Sequence, residues 1–362
     1  MSVKATSHKK MGVRKIGLIF GFVALLHLVG WALLFYATEG GQQTAAGTAI
    51  SIGTGTLAYL LGLRHAFDAD HIAAIDNTTR KLISEGQKPT SVGLFFSLGH
   101  STVVFVLSAL IAVGVSWVGK ELTDEGSLLR QTGAIIGGTV AGTFLLFIAI
   151  INIFIFLGII KNFRSMRTGT HATEHLEEEL HKRGIMSRLL APISKTIDRS
   201  WKMYPLGLLF GLGFDTASSI ALLALAGSSA IAGNAALAVI ALPIIFTAGM
   251  ALGDTVDGLF MNQAYGWAHE KPIRRAYYNM TVTLVSIAAA LAVGVPVILG
   301  VLIEAFHLEG GFWDTVANID LENVGFILVG LFLTMWALSV LIWRLGNFEQ
   351  KWQPIQEQEI KI

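Results

Sequence analysis

Apolar residues gather along the chain in runs of about 20, the length a helix needs to cross a ~30 Å hydrocarbon core, with polar breaks between them. Reading the runs against the breaks predicts eight helices, over about 16–37, 47–75, 91–117, 133–160, 204–226, 235–262, 277–303 and 323–343. The first follows a basic stretch (Lys4, Lys9, Lys10, Arg14, Lys15). Its apolar run is too long for a signal peptide and no A-x-A-like cleavage site follows, so it reads as a retained span. The fold expected is an all-α integral membrane protein, a polytopic bundle of about eight transmembrane helices. It forms a single transmembrane domain over 1–362, with a hydrophilic cytoplasmic loop at 161–203 between helices four and five.

Composition agrees: 53% of residues are hydrophobic and 14% charged, where soluble chains carry about 25% charged. The chain has no Cys, which excludes disulfides, thiolate metal sites, iron–sulfur clusters and a cysteine nucleophile. There is no GxxxxGK[ST] loop and no GxGxxG after a strand, so the chain is not expected to hydrolyse ATP, and no ATPase subunit is evident. Neither a nucleic-acid partner nor a prosthetic group is expected; the oligomeric state is not encoded in any recognisable pattern. Small residues four apart (Gly207 and Gly211, Gly133 and Gly137, Gly138 and Gly142) read as close helix packing.

Charge placement gives the orientation. With the N-terminus inside, Lys and Arg number five in the tail, three after helix two, nine between helices four and five, three after helix six and three at the C-terminus. Of the 26, only Lys120, Arg130 and Arg64 fall elsewhere. The positive-inside rule therefore places both termini in the cytoplasm and the chain in the cell inner (cytoplasmic) membrane, surrounded by membrane lipid.

Ionisable groups at membrane depth are costly and mark function. Helix two holds Arg64, His65, Asp68, Asp70 and His71 in L-R-H-A-F-D-A-D-H, with Asp76 at its cytoplasmic end. Helix one adds His27, helix three His100, helix five Asp215, and helix six Asp254 and Asp257. On a continuous helix at 100° per residue, taking His65 as zero, Asp68 falls near 300° and His71 near 240°, one face; Asp70 falls near 140°, almost opposite. Either Asp70 makes a second contact, with Arg64 for example, or the helix is distorted. The span carboxylates outnumber Arg64 by four, which calls for protons, solvent or a bound cation. Mixed imidazole and carboxylate donors suit Ni²⁺, Co²⁺ or Zn²⁺ better than Mg²⁺ or Ca²⁺.

R-H-A-F-D-A-D-H-I at 64–72 resembles the signature of the nickel/cobalt transporter family, H-x4-D-H on the second helix. F-S-L-G-H-S-T-V-V at 96–104, L-G-F-D-T-A-S-S-I at 212–220 and G-M-A-L-G-D-T-V-D-G at 249–258 are similar to that family's other motifs. In the third of these four motifs Ser219 stands where the family often has an acidic residue. The resemblance implies a permease for Ni²⁺ or Co²⁺, written here as transported substrate, with His65, Asp68, Asp70 and His71 at the core of recognition. His27 is a further candidate ligand. Arg64, Phe67, Asp76, His100, Asp215, Asp254 and Asp257 are candidates for the pathway, Phe67 by narrowing the cavity.

High-affinity uptake is the function expected, with efflux through the same site as the alternative. An intramembrane metalloenzyme is disfavoured, since neither HExxH nor H-x-x-H-H boxes occur. The loop histidines His171, His175 and His181 sit in a charge run that reads first as a solvated amphipathic helix and second as a metal buffer. Phe-Asp recurs at 67–68 and 214–215, and Phe-x-x-Gly at 96–99 and 246–249. The near-equal offsets suggest an inverted repeat of helices one to three and four to six, with the site at its interface.

Overall fold

The computed structural model describes residues 7–38, 51–112, 124, 126–167, 197–213, 235–269, 272–319 and 323–345. These form α1 (Ser7–Thr38), α2 (Ile52–His65), α3 (Ala69–Ser84), α4 (Val92–Ala112), α5 (Leu128–Arg167), α6 (Met203–Phe210), α7 (Ala235–His269), α8 (Pro272–Phe306), α9 (Phe312–Ala317) and α10 (Val324–Leu345). Among the described residues, five helices contain stretches long and apolar enough to cross a membrane: Val13–Thr38, Val92–Leu110, Leu128–Gly158, Ile240–Ala264 and Thr283–Phe306. A shorter apolar stretch, Val324–Leu338, lies in α10. The protein is thus a multi-pass membrane protein, with helices as the only regular secondary structure among the described residues.

The second predicted helix departs from expectation. It is two helices, α2 and α3, separated at 66–68, and α3 continues past position 75 to Ser84. Nothing in R-H-A-F-D-A-D-H is a Gly or Pro breaker, so the interruption comes from Asp68. Its backbone is extended (φ −65°, ψ 146°) and it stands as N-cap of α3, a position Asp favours. The last amides before it are satisfied by tight turn bonds, Phe67 N to Arg64 O at 2.9 Å and Asp68 N to His65 O at 3.0 Å.

α7 is the hub, packing against α1, α2, α3 and α4, while α8 lies along α5 and α10 along α3. Association without a hydrophobic drive between helices depends on close backbone approach. A Cβ on Gly62 of α2 would collide with the Phe246 carbonyl of α7, and one on Gly207 of α6 with the Phe96 carbonyl of α4. Gly138 and Gly142 face Val297, Ile298 and Val301 of α8.

These contacts occur in matched pairs. Gly249 of α7 abuts Tyr59 and Leu63 of α2, and Gly99 of α4 abuts Tyr204 and Leu208 of α6. Y-L-L-G-L at 59–63 and Y-P-L-G-L at 204–208 carry the two matching faces. Ser97 Oγ donates to Gly93 O at 2.8 Å, and Thr247 Oγ1, at the equivalent place, donates to Pro243 O at 2.6 Å. Rising numbers meet rising numbers in both crossings, so α2 runs parallel to α7 and α4 parallel to α6. α4 itself is antiparallel to α7: Gly93 meets Asp254, while Val104 shares a cluster with Leu242 and Ile245. α2 and α4 thus run in opposite directions, as do α6 and α7, and each helix of one pair packs on a parallel helix of the other.

Candidate metal centre

The interruption at 66–68 places three imidazoles together. His65 ends α2, His71 lies in the first turn of α3, and His100 comes from α4. Their ring centroids are 4.6 Å (His65–His71), 4.6 Å (His65–His100) and 4.9 Å (His71–His100) apart. All three are buried, and one nitrogen from each lies within 4.8 Å of the others. Phe96 packs edge-on against His71 and Phe246 tilts against His65, so the walls are apolar.

His65 Nε2 and His100 Nε2 stand 2.9 Å apart, a contact that needs one of them to donate a proton. Two imidazole nitrogens bound cis at ~2.1 Å to one ion stand ~3.0 Å apart, and two bound trans ~4.2 Å apart. The nitrogen spacing is therefore that of two imidazoles bound cis to one ion, reached by re-aiming the rings rather than by moving the nitrogens apart. His71 Nε2 and His100 Nδ1 are buried without a hydrogen-bond partner, a state that native interiors rarely leave unexplained.

Carboxylates stand behind two of the rings. Asp68 Oδ2 lies 2.6 Å from His65 Nδ1, close enough for an ion pair though outside hydrogen-bond angles. His71 Nδ1 is 3.3 Å from both oxygens of Asp254 on α7. In metal sites a carboxylate on one imidazole nitrogen fixes the ring and turns the other nitrogen to the ion. Here that geometry leaves His71 Nε2 free and turns His65 Nε2 towards His100.

The remaining expected residues take other places. Asp70 does not join the cluster: its Oδ1 accepts the His71 amide at 3.0 Å, satisfying one of the orphan donors of the α3 N-terminus. The helical wheel that set it opposite the others does not apply across the break between α2 and α3. His27 is also elsewhere; its Nδ1 donates to Val23 O at 2.7 Å and its Nε2 faces the Tyr59 hydroxyl at 3.4 Å. Phe67 stacks on Phe326 of α10 with ring centroids 5.2 Å apart. Arg64, half-buried, immediately precedes His65. Asp76 is not at a helix end but fully buried inside α3, where it accepts from Ser286 Oγ of α8 at 2.9 Å. Asp257 lies one turn beyond Asp254, near enough to Asp76 for the two carboxylates to interact. Asp215, Ser219 and His171, His175 and His181 lie outside the described residues.

Asp254 as the partner of His71 and His100 as a full member of the cluster were not apparent from spacing. The signal available was only that both lie in polar motifs on apolar helices.

Residues 51–342 match the model of a family described as high-affinity nickel-transport protein. The chain belongs to the high-affinity nickel-transport protein family. It is 46% identical over 344 residues to the nickel transporter NicT of Mycobacterium tuberculosis, covering 95% of this chain and 92% of that protein. It is 44% identical over 335 residues to the nickel transporter NixA of Staphylococcus aureus, covering 91% and 94%. Against the cobalt transport protein NhlF of Rhodococcus rhodochrous it is 39% identical over 332 residues, covering 91% and 92%. No solved structure matches the chain. The nickel-transport family is one of transporters, not enzymes. Its matched region contains the three imidazoles and both orienting carboxylates, whereas His27 precedes it.

Proposed function

We propose that the protein takes up Ni²⁺ and Co²⁺ across the cytoplasmic membrane through the centre at the α2–α3 break. The observation that supports this most strongly is the set of three buried imidazoles that each bring a nitrogen within 4.8 Å of the others. Imidazole donors suit nickel and cobalt, and the relatives named above are nickel and cobalt transporters. His65, His71 and His100 hold the ion in transit. Asp68 and Asp254 orient His65 and His71 and offset the cation's charge. Asp70 serves the α3 N-terminus, and Asp76 and Asp257 line the onward path.

Both termini are cytoplasmic in this reading. The whole chain is one membrane domain, 161–203 are its cytoplasmic loop, and no ATPase subunit is needed. A helix break flanked by the antiparallel pairs α2 with α4 and α6 with α7 supports an architecture in which a mid-membrane site is exposed alternately to each side.

Flux of radiolabelled nickel and cobalt in cells with and without the protein tests the reading. Accumulation well above the empty-cell background is expected. Release after preloading without accumulation would reverse the direction, and no difference in either assay would overturn transport. A second expectation concerns the orienting carboxylate. Asp254→Asn preserves size but removes the charge that holds the His71 ring, so nickel affinity should fall roughly 10–100-fold. A titration of purified variant and wild type checks this; equal affinities would remove Asp254 from the site.

A further inference from the structure

Methionine is the only sulfur this chain can offer a metal, since it has nine Met and no Cys. One of them, Met250 of α7, is fully buried. The residues one turn before and one turn after it both touch the imidazoles. Phe246 tilts against the His65 ring with centroids 5.8 Å apart, and both oxygens of Asp254 stand 3.3 Å from His71 Nδ1. Residues 246, 250 and 254 span only about 80° of the helix surface, with 250 in the middle.

The packing of α7 fixes the direction in which Met250 points. Taking it as zero at 100° per residue, Gly249 and Gly253 fall near −100° and −60°, and they abut α2 and the break at Leu63 and Ala66. Ala251 and Gly258 fall near +100° and +80°; the first clusters with Leu94 of α4 and the second meets Gly93. Ile244 and Ile245, near +120° and −140°, meet Gly30 of α1. Met250 therefore bisects the angle between α2 and α4, on the side away from α1. Its level along the helix agrees. Gly62 meets Phe246 and Ala66 meets Gly253, so His65 stands within about a turn of Met250. Gly93 meets Asp254 and Val104 clusters with Leu242 and Ile245, which sets His100 within about a turn of it on the other side. Met250 itself packs in the cluster that holds Ala66, Val104 and Phe246. It thus lies beneath the place where His65 Nε2 and His100 Nε2 meet at 2.9 Å.

The sequence frames point the same way. F-S-L-G-H at 96–100 on α4 and F-T-A-G-M at 246–250 on α7 put Met250 where the other frame has His100. We propose that Met250 Sδ is a fourth, weak donor to the ion held by His65, His71 and His100, and that it biases the centre towards softer divalent cations. This rests on the imidazole centre being the transport site. A thioether is soft and polarizable, so an ion that prefers oxygen, such as Mn²⁺, gains little from it. It is also neutral, so it adds no charge that would hold the ion against release.

Nickel-edge X-ray absorption on full-length purified protein, loaded in chloride-free buffer, tests this. One sulfur scatterer should accompany the imidazole nitrogens, and selenomethionine labelling should exchange it for selenium with the nitrogens unchanged. Met250→Leu conserves volume; it should lose the sulfur, keep the imidazoles and bind nickel severalfold more weakly. Mn²⁺ should then compete with nickel severalfold better than in wild type. Met261→Leu, about three turns further along α7, should alter none of these. Imidazole nitrogens without sulfur in wild type would overturn the proposal and leave the transport site standing, whereas a shell without imidazole would overturn both. Sulfur that persists in Met250→Leu, or unchanged competition by Mn²⁺, would also overturn the role given to Met250.

Discussion

Replacing His65 with alanine should reduce nickel accumulation to the background of cells lacking the protein. The side chain is fully buried between His71 and His100 and supplies the nitrogen that stands 2.9 Å from His100 Nε2. Removing it leaves two imidazoles, strands the Asp68 carboxylate that faces it at 2.6 Å, and opens a cavity that water can enter. Disturbing an outer partner of a metal-bound imidazole already costs roughly 10–100-fold in affinity, and removal of the donor itself should cost more. His71→Ala and His100→Ala should behave alike. His27→Ala separates this centre from a wider one: its nitrogens face Val23 and Tyr59, so nickel accumulation should stay near wild type. Uptake should be normalised to the amount of folded protein in the membrane. Wild-type uptake in His65→Ala, or loss in His27→Ala at equal protein level, would contradict the assignment.

The second large effect is on assembly. Gly62 and Gly207 sit at equivalent places in the two crossings, each with a carbonyl of the facing helix where a Cβ would go. Backbone cannot move aside as a flexible side chain can. Overpacking a tight contact costs about 1–3 kcal/mol and sometimes more, and here the helices must separate along their length. Gly62→Ala and Gly207→Ala should each lower the melting temperature of the purified protein by many degrees and reduce the yield of folded protein. Gly300→Ala is the control, because a Cβ there meets nothing within 4 Å and alanine is the better helix former. A Gly62→Ala protein that melts with wild type would show that the crossing is looser than its geometry requires.

Hydropathy alone placed most helices, because a span needs only length and absence of charge. Polar residues at that depth were equally legible as a class, and His65, His71 and His100 all stood out. Their arrangement was not. A helical wheel presumes a continuous helix, and the interruption at Asp68 is flanked by a local contact, His65 three residues back, and by one remote in sequence, Gly325 of α10 against the Phe67 carbonyl. Those same contacts moved Asp70 from a candidate ligand to a helix-terminus acceptor. The Asp254–His71 pair joins residues 183 positions apart, and no local pattern encodes such a pairing. A few recurring identities suggested a repeat, whereas the parallel crossings of α2 on α7 and of α4 on α6 join residues far apart in sequence and no local pattern encodes them.

The central claim is that three imidazoles, oriented by Asp68 and Asp254, take nickel at the break in the helix. X-ray absorption at the nickel edge of the purified, nickel-loaded protein addresses it directly. The account predicts a shell containing about three imidazole nitrogens near ~2.1 Å, lost when His65, His71 and His100 are replaced together by alanine. An all-oxygen shell, or a spectrum unchanged by the triple replacement, would contradict it.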